Sequence, residues 1–178
     1  PNPVLTQTCT DAALDDPDLV GLIDDLFDTM YHAKGRGLAA PQIGVTKRVF
    51  VVDVTWTEGA RDPRAFINPQ ITETAGDMLI MDEQCLSMPD IPMPVARPER
   101  IQLRWANRDG GLETALFDGI LARCIQHELD HLNGTVIFDH QMPETRAELE
   151  ASYAPETVHP VARKRPAHPR RRGDRDHR

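Results

Sequence analysis

The chain has 178 residues, of which 40% are apolar, 27% charged and 5% aromatic, with 15 Pro, 11 Gly and 3 Cys. This length fits a single domain with one sizeable hydrophobic core. The formal net charge of -8 conceals a contrast, because residues 159–178 carry +6 and residues 1–158 carry -14. An acidic body disfavours nucleic acid as the main ligand, so we expect no sequence-specific nucleic-acid partner.

The sequence shows no sign of a membrane segment or a disulfide framework. No apolar run approaches the roughly 18 residues that cross a bilayer, and no charged-then-apolar leader opens the chain, so we expect no membrane partner. Three cysteines are too few for a disulfide scaffold and indicate a reducing cytoplasmic setting, in which a special cysteine serves as metal ligand or nucleophile. Cys9 lies near a chain end that we expect to be mobile.

The first half of the chain reads as one helix followed by strands. Asp16-Pro17 predicts a helix start, apolar residues then recur at helical spacing to Tyr31, and Gly35 and Gly37 end the pattern. Strands are predicted at 48–54, 65–74, 77–81, 100–105 and 112–117. Residues 107–111 (NRDGG) predict a hairpin turn that makes the last two strands antiparallel. An irregular stretch is predicted around Pro89, Pro92, Pro94 and Pro98.

A second helix is predicted from Gly119 to Asn133, with Asp118 as its N-cap and Gly134 just beyond its end. A short polar helix is predicted at 143–153. Strands clustered between helices indicate an α+β fold, mixed but mainly antiparallel, packed around the second helix. We expect residues 154–178, a Pro-, Arg- and His-rich basic tail without periodicity, to be disordered.

The second predicted helix carries the pattern His127-Glu128-Leu129-Asp130-His131, which is HExxH. Two histidines four residues apart project from one helical face to a common point. Two neutral imidazoles bind a borderline cation there, while a carboxylate that is not a ligand moves the proton of a bound water. The pattern also arises by chance, with two histidines simply satisfied inside a helix, so a third ligand is needed to support a metal site.

Several residues are candidates for the third ligand. The metzincin type of histidine is missing, because Ile137 stands in its place. Glu144 and Glu148 are downstream carboxylates, and nothing in the sequence singles out either of them. Cys85, in a turn-rich segment after a strand, would complete a Cys-His-His set with an open fourth position. Cys124 competes as the thiol, but it lies on the apolar stripe of the second helix, where we expect core burial.

Three segments together resemble, in order and spacing, the three motifs of the peptide deformylase family. They are Gly35–Gln42 (GRGLAAPQ), Glu83–Ser87 (EQCLS) and His127–His131 (HELDH). The resemblance implies a catalytic domain over 1–153 that removes the formyl group from the N-terminal methionine of newly made proteins. It implies formylmethionyl peptides as partners, with the ribosome as a further contact through the basic tail. The implied setting is the bacterial cytoplasm, with an organelle of bacterial origin as the second option.

The resemblance also assigns roles to individual positions. The implied ligands of one divalent metal, Fe²⁺ with Zn²⁺, Ni²⁺ or Co²⁺ as substitutes, are Cys85, His127 and His131. The implied catalytic groups are Glu128 as general acid/base, together with the side-chain amide of Gln42 and the backbone N–H of Leu86 as donors to the oxyanion. The implied substrate-binding residues are Gly35, Arg36, Gly37 and Gln84.

Two of these positions depart from the family pattern. The family usually carries Gly at position 84, so Gln84 would cost on the order of 1 kcal/mol if the backbone there needs a positive φ. Arg36 stands where a small aliphatic residue is common. Its guanidinium would narrow the methionine pocket, favour acidic peptides or turn to solvent. Separately, a buried Asp130 would need a partner, and we expect Arg97 to join the two metal-bearing segments by pairing with it.

Other functions are compatible with parts of the sequence. One is a zincin-like metallopeptidase, and another is a deformylase-like protein that binds nascent chains with little or no turnover. Gly35–Ala40 also matches the GxGxxA pattern of dinucleotide-binding folds. A helix precedes this segment where that fold requires a strand, so the dinucleotide interpretation is excluded.

Overall fold

The strands of the protein form a single antiparallel meander. In this computed structural model, the structure describes residues 2–142 and residue 147, without the side chains of 88–91 and 138. Within that part, five strands lie side by side in chain order, each antiparallel to its neighbours. They are β1 (Gly37–Ala39), β2 (Val49–Val52), β3 (Arg64–Cys85), β4 (Met88–Ala106) and β5 (Leu112–Asp118). The α+β class is as the sequence predicted, and the pairing, predicted to be mixed but mainly antiparallel, is antiparallel between all five of these strands.

Two helices, α1 (Leu19–His32) and α2 (Gly119–Leu132), pack on opposite faces of the sheet. The alternation of side chains along β2 shows why, since successive residues of a strand point to opposite faces. Val49 and Val51 pack with α1, whereas Phe50 and Val52 pack in the cluster that contains the apolar side of α2. Each helix therefore buries one apolar stripe, and the sheet separates the two clusters.

The strand β3 differs from the sequence prediction, which placed two strands at 65–74 and 77–81. The structure has one strand, Arg64–Cys85, interrupted by shifts of register against β4. One shift falls between Ala75 and Met78, where Gly76 has φ +77°. The gap between the two predicted strands is thus a bulge within one continuous strand.

The prolines of β4 were predicted to make an irregular stretch, and that prediction is wrong. Pro94 and Pro98 lie opposite Asp82 and Met78 in the ladder. The carbonyls of Pro94 and Pro98 accept hydrogen bonds from glutamine side chains, at 2.9 and 3.1 Å. A proline is tolerated in a strand where its missing N–H faces an unpaired edge. Here β5 pairs only with the second half of β4, so that edge is open.

The helix boundaries agree closely with the sequence for α2 and less closely for α1. The N-cap position of α2 is Asp118, and Gly134 follows its end with φ +74°. The helix α1 begins at Leu19, later than the predicted Asp16-Pro17, because Asp16 instead closes a turn by accepting from the N–H of Asp18 at 2.9 Å.

The N-terminal segment is packed against the core rather than free. Cys9 is buried, and its N–H donates to the carbonyl of Leu132 at 2.8 Å, so the expectation of a mobile end at this residue is wrong. The predicted helix at 143–153, apart from residue 147, and the predicted tail at 154–178 lie outside the described residues. Among the described residues, no helix is both long and apolar enough to cross a membrane.

Candidate active site

The end of β3 and the buried side of α2 bring three ligand-type side chains together. Cys85, His127 and His131 are all buried, and one ligand atom of each lies within 4.8 Å of the others. The Sγ atom of Cys85 is 3.2 Å from Nε2 of His131. The two imidazole rings face each other edge to face, with centroids 5.2 Å apart. The structure therefore groups Cys85, and not Cys124, with the two histidines of HExxH.

The ionisation of this trio is coupled. Burial opposes ionisation of Cys85, but the two adjacent histidines outweigh burial and hold the pKa of the thiol well below its usual range. Burial also disfavours protonated imidazoles, yet hydrogen bonds with Cys85 and Glu83 raise the pKa of His127 well above its ordinary value. The lowered pKa favours the thiolate, which is the form of cysteine that binds a metal ion.

The donor set fits a divalent metal ion. In a tetrahedral site, bonds of about 2.3 Å to sulfur and 2.05 Å to nitrogen separate these two donors by about 3.6 Å. The 3.2 Å between Cys85 and His131 is slightly shorter, as for a thiolate that accepts a hydrogen bond from an imidazole. A cation that replaced this proton would need only a small outward movement of the ligands.

Glu83 lies two residues before Cys85 on the same face of β3, and it orients the ring of His127. Its Oε1 atom accepts from Nδ1 of His127 at 2.9 Å, which leaves Nε2 of the ring for a metal. Arg97 donates to both carboxylate oxygens at 2.6 and 2.8 Å, and Arg123 donates at 2.6 Å. Glu83 belongs to the cysteine motif of the sequence. Its role as the partner of His127, which lies 44 residues further along the chain, could not be predicted from the sequence.

The predicted pairing of Arg97 with Asp130 is confirmed. Nη1 of Arg97 is 2.9 Å from Oδ2 of Asp130, while the other side of the same guanidinium holds Glu83. His140 also contacts the Asp130 carboxylate at 2.8 Å. Arg97 therefore links the strand that carries Cys85 to the helix that carries the histidines.

Glu128 lies beside the trio with a carboxylate that is incompletely paired. Its Oε2 atom is buried and has no hydrogen-bond partner among the described residues. Burial raises the pKa of Glu128 to about 7, although the two neighbouring histidines act in the opposite direction. A buried carboxylate poised near neutrality is suited to accept and return a proton.

Gln42 and Leu86 approach the trio from two other directions. Gln42 lies in the 3-10 turn Ala40–Ile43 directly after β1, and its Oε1 accepts from the N–H of Ala39 at 2.9 Å. This bond turns the amide NH₂ toward the site, where Nε2 is 3.5 Å from Sγ of Cys85 and 3.0 Å from Oγ of Ser87. Leu86 lies in the turn after β3.

A cleft of about 500 Å³ leads to this cluster, and the four predicted substrate-binding residues line it: Gly35, Arg36, Gly37 and Gln84. Positive φ values among non-glycine residues occur at Lys34 and Asn68 and not at Gln84, so the expected strain at that position is absent. Cys124 is half-buried: it packs against the core cluster, as expected, and it also lines the cleft.

The two glycines of the cleft are required by close contacts. A Cβ atom on Gly37 would lie 2.7 Å from Oε1 of Glu128 and 2.9 Å from Sγ of Cys124. A Cβ atom on Gly35 would overlap the side chain of Leu86. Because positions 35 and 37 have no Cβ atom, the backbone there lies directly against Leu86, Glu128 and Cys124. These side chains surround the ligand trio, which is Cys85, His127 and His131.

Together the fold and the ligand trio define an α+β metallohydrolase type of site. Residues 1–147 match the family model described as Polypeptide deformylase. The chain is 43% identical over 144 residues to the peptide deformylase of Zymomonas mobilis, covering 79% of this chain and 81% of that protein. It is 44% identical over 140 residues to that of Agrobacterium fabrum, covering 79% and 82%.

Solved structures of peptide deformylases are also similar to this chain. The peptide deformylase of Synechococcus elongatus in complex with actinonin superposes with a TM-score of 0.79 at 38% identity, covering 90% of this chain and 89% of that one. The enzyme of Thermotoga maritima superposes with a TM-score of 0.74 at 39% identity, covering 80% and 93%. The chain therefore belongs to the peptide deformylase family.

The link made by Arg97 gives a stability prediction. Arg97→Ala leaves the carboxylates of Glu83 and Asp130 without their shared partner, and breaking a buried ion pair in this way costs about 3–5 kcal/mol. We expect a loss of that size in the free energy of unfolding, measured by denaturant titration at equal metal content.

Arg108→Ala is the matched control, because Arg108 pairs with Asp24 at 3.4 Å on the exposed surface. Its removal should change the free energy of unfolding by about 1 kcal/mol or less. Unfolding of Arg97→Ala at the same denaturant concentration as the unmodified protein would show that the link contributes no stability.

Proposed function

We propose that this chain is a metal-dependent hydrolase that removes the formyl group from the N-terminal methionine of newly made proteins. The observation that supports this most strongly is the convergence of Cys85, His127 and His131 beside the unpaired carboxylate of Glu128, at the end of a cleft. Membership of the peptide deformylase family gives the reaction, and the site contains groups suited to each step.

In this proposal, Cys85, His127 and His131 hold one divalent cation, with Fe²⁺ as the expected metal and Zn²⁺, Ni²⁺ or Co²⁺ as substitutes. When bound, the cation lowers the pKa of a coordinated water and polarises the formyl carbonyl. The thiolate donates more charge than a third imidazole would, which suits iron and also leaves the sulfur open to oxidation. Glu83 fixes the ring of His127 so that Nε2 faces the metal position.

Glu128 moves the proton in both halves of the reaction. Its buried carboxylate accepts a proton from the attacking water and then delivers it to the nitrogen of the departing methionine. The burial that raises its pKa to about 7 makes both directions of transfer accessible near neutral pH.

Gln42 and Leu86 stabilise the negative charge that develops on the formyl oxygen. The amide of Gln42 is oriented before substrate arrives, because its Oε1 is fixed by the N–H of Ala39. A preorganised donor of this kind contributes about 2.7–4 kcal/mol to lowering a barrier. The backbone N–H of Leu86, in the turn next to Cys85, is the second donor.

The peptide lies in the cleft between the β1 segment and the end of β3, against Gly35, Arg36, Gly37 and Gln84. Formylated chains are the products of bacterial-type translation, so the proposed setting is the bacterial cytoplasm. The basic segment at 159–178 is a proposed contact with the ribosome, since its charge of +6 favours ribosomal RNA.

The role of Glu128 is tested by Glu128→Gln, which keeps the shape of the side chain but removes the proton acceptor. We expect metal content to stay at that of the unmodified protein, because Glu128 is not a ligand. The kcat for a formyl-Met peptide should fall by about 10²–10⁴. The measurements are elemental analysis and release of formate by iron-loaded protein prepared without air.

Glu113→Gln, at an exposed position of β5, is the control and should keep full activity. Hydrolysis of casein in place of formyl peptides would support the zincin-like metallopeptidase instead. Peptide binding without formate release by the iron-loaded protein would support the binding function. Full activity of Glu128→Gln would remove Glu128 from the mechanism.

The close contact at Gly37 is tested by Gly37→Ala. The added methyl group would displace the carboxylate of Glu128 or the thiol of Cys124, and a displacement of about 1 Å costs up to about 100-fold in rate. We expect kcat/KM for a formyl-Met peptide to fall by about that factor, with little change in the unfolding midpoint.

Gly21→Ala in α1 is the matched control, since nothing lies within 4 Å of a Cβ atom there. It should leave kcat/KM unchanged and stabilise the helix by about 0.5–1 kcal/mol. Equal kcat/KM for Gly37→Ala and the unmodified protein would mean that the cleft does not need the close approach.

A further inference from the structure

One wall of the cleft carries exposed positive charge. Lys34 and Arg36 are both exposed, and both line the cleft that leads to the ligand trio. This is unusual in a chain whose residues 1–158 carry a net charge of -14. Among the described residues, the Arg36 side chain forms no hydrogen bond or ion pair. A charge at this place that stabilises nothing in the fold is available to a ligand.

A third cation that lines the cleft, Arg123, already has partners within the protein. Arg123 donates to Glu83 at 2.6 Å and to the carbonyls of Leu79 and Val95 at 2.6 and 3.0 Å. Glu83 in turn is shared with Arg97, so the charges of this network compensate each other. A peptide in the cleft therefore meets the exposed charges of Lys34 and Arg36 rather than that of Arg123.

The backbone that carries Arg36 is held in place from two sides. Its carbonyl accepts from the N–H of Asp53 at 2.8 Å and from Sγ of Cys124 at 3.6 Å. The carbonyl of Gly35 accepts from Nε1 of Trp56 at 2.8 Å. The segment is thus fixed, and the long side chain extends from a defined point on the wall.

The side chain of Arg36 lines the cleft and is exposed to solvent. The flanking positions 35 and 37 face Leu86 and Glu128, where a Cβ atom would collide. Position 36 is a bend directly before β1, and its side chain is exposed, whereas position 35 is buried and position 37 is half-buried. Its charge nonetheless reaches the cleft, because the guanidinium partly opposes the rise that burial causes in the pKa of Cys124.

We infer that Arg36 makes this cleft selective for formylmethionyl peptides with an acidic side chain, Asp or Glu, among the first residues after the methionine. The inference rests on the proposed function and names its substrate class. The carboxylate pairs with the guanidinium at the rim, while the formyl end lies at the ligand trio. Arg36 is a specificity-determining residue that takes no part in the chemical step.

Among the acidic residues that line the cleft, Asp82 is the exposed one. It neighbours Glu83 on β3, and Glu83 faces α2, so Asp82 points to the other face of the strand. Selection by Asp82 would give the reverse preference, for Lys or Arg after the methionine, and the experiment distinguishes the two.

The test compares kcat/KM of the iron-loaded protein for formyl-Met-Asp-Ser, formyl-Met-Ala-Ser and formyl-Met-Lys-Ser, with the charged residue also moved one and two positions further along. At least one acidic peptide should exceed its lysine counterpart by about three- to fivefold, the ratio that an exposed ion pair provides. The ratio should shrink at about 1 M salt, where charges are screened within about 3 Å.

Arg36→Gln should remove the ratio between the acidic peptide and its lysine counterpart, and this ratio is the readout because Arg36 lines the cleft. Arg104→Gln, which removes an exposed cation from β4 outside the cleft, makes the same change in net charge and should keep the preference. Equal rates at every position, a preference for lysine, or a preference that survives Arg36→Gln would overturn the inference.

A binding measurement separates this inference from the proposed function. Calorimetric titration of Glu128→Gln with the same peptides reports their ranking without turnover. Tighter binding of an acidic peptide that is lost in the double variant with Arg36→Gln supports the inference even if no peptide is hydrolysed by the unmodified protein. Hydrolysis of the alanine peptide with no ranking in binding supports the proposed function and overturns the inference.

Discussion

The candidate site depends on one contact between distant parts of the chain, the approach of the Cys85 thiolate to the imidazoles of α2. It joins residues 46 positions apart, at 3.2 Å between Sγ and Nε2 of His131. The contact exists because the apolar side of α2 packs on one face of the sheet while β3 and β4 continue together past β2 and β5. The sheet and helix thus act as a frame that holds a sulfur next to two ring nitrogens.

Burying so many ionisable groups is tolerated because their charges compensate one another. The Glu83 carboxylate is shared by Arg97, Arg123 and His127, and Arg97 also holds Asp130. Each group would be costly to bury alone. In this arrangement the polar network fixes the orientation of a ligand and the spacing of two elements. Among the described residues, Oε2 of Glu128 and Nδ1 of His131 are the buried side-chain atoms without a hydrogen-bond partner.

Local patterns in the sequence were sufficient for part of this picture. The four-residue spacing of His127 and His131 follows from helical geometry, and the antiparallel class follows from the hairpin turn at 107–111. Contacts between residues far apart in the sequence were harder to predict, because they depend on how the strands and helices pack. The role of Glu83 needed a partner 44 residues away, and the three-residue strand β1 is too short to show a period. The predicted gap between strands 65–74 and 77–81 is in fact a bulge at Gly76 within one strand, because a positive φ at a glycine bends a strand without ending its pairing.

The central claim is that one sulfur and two imidazole nitrogens bind a single cation in this protein. X-ray absorption spectroscopy of the zinc-loaded protein tests it directly, because sulfur and nitrogen scatter at different distances. The account predicts one sulfur at about 2.3 Å and two imidazole nitrogens at about 2.0–2.1 Å, with the sulfur signal lost in Cys85→Ser. A first coordination sphere of nitrogen and oxygen alone, or a sulfur that persists in Cys85→Ser, would contradict it.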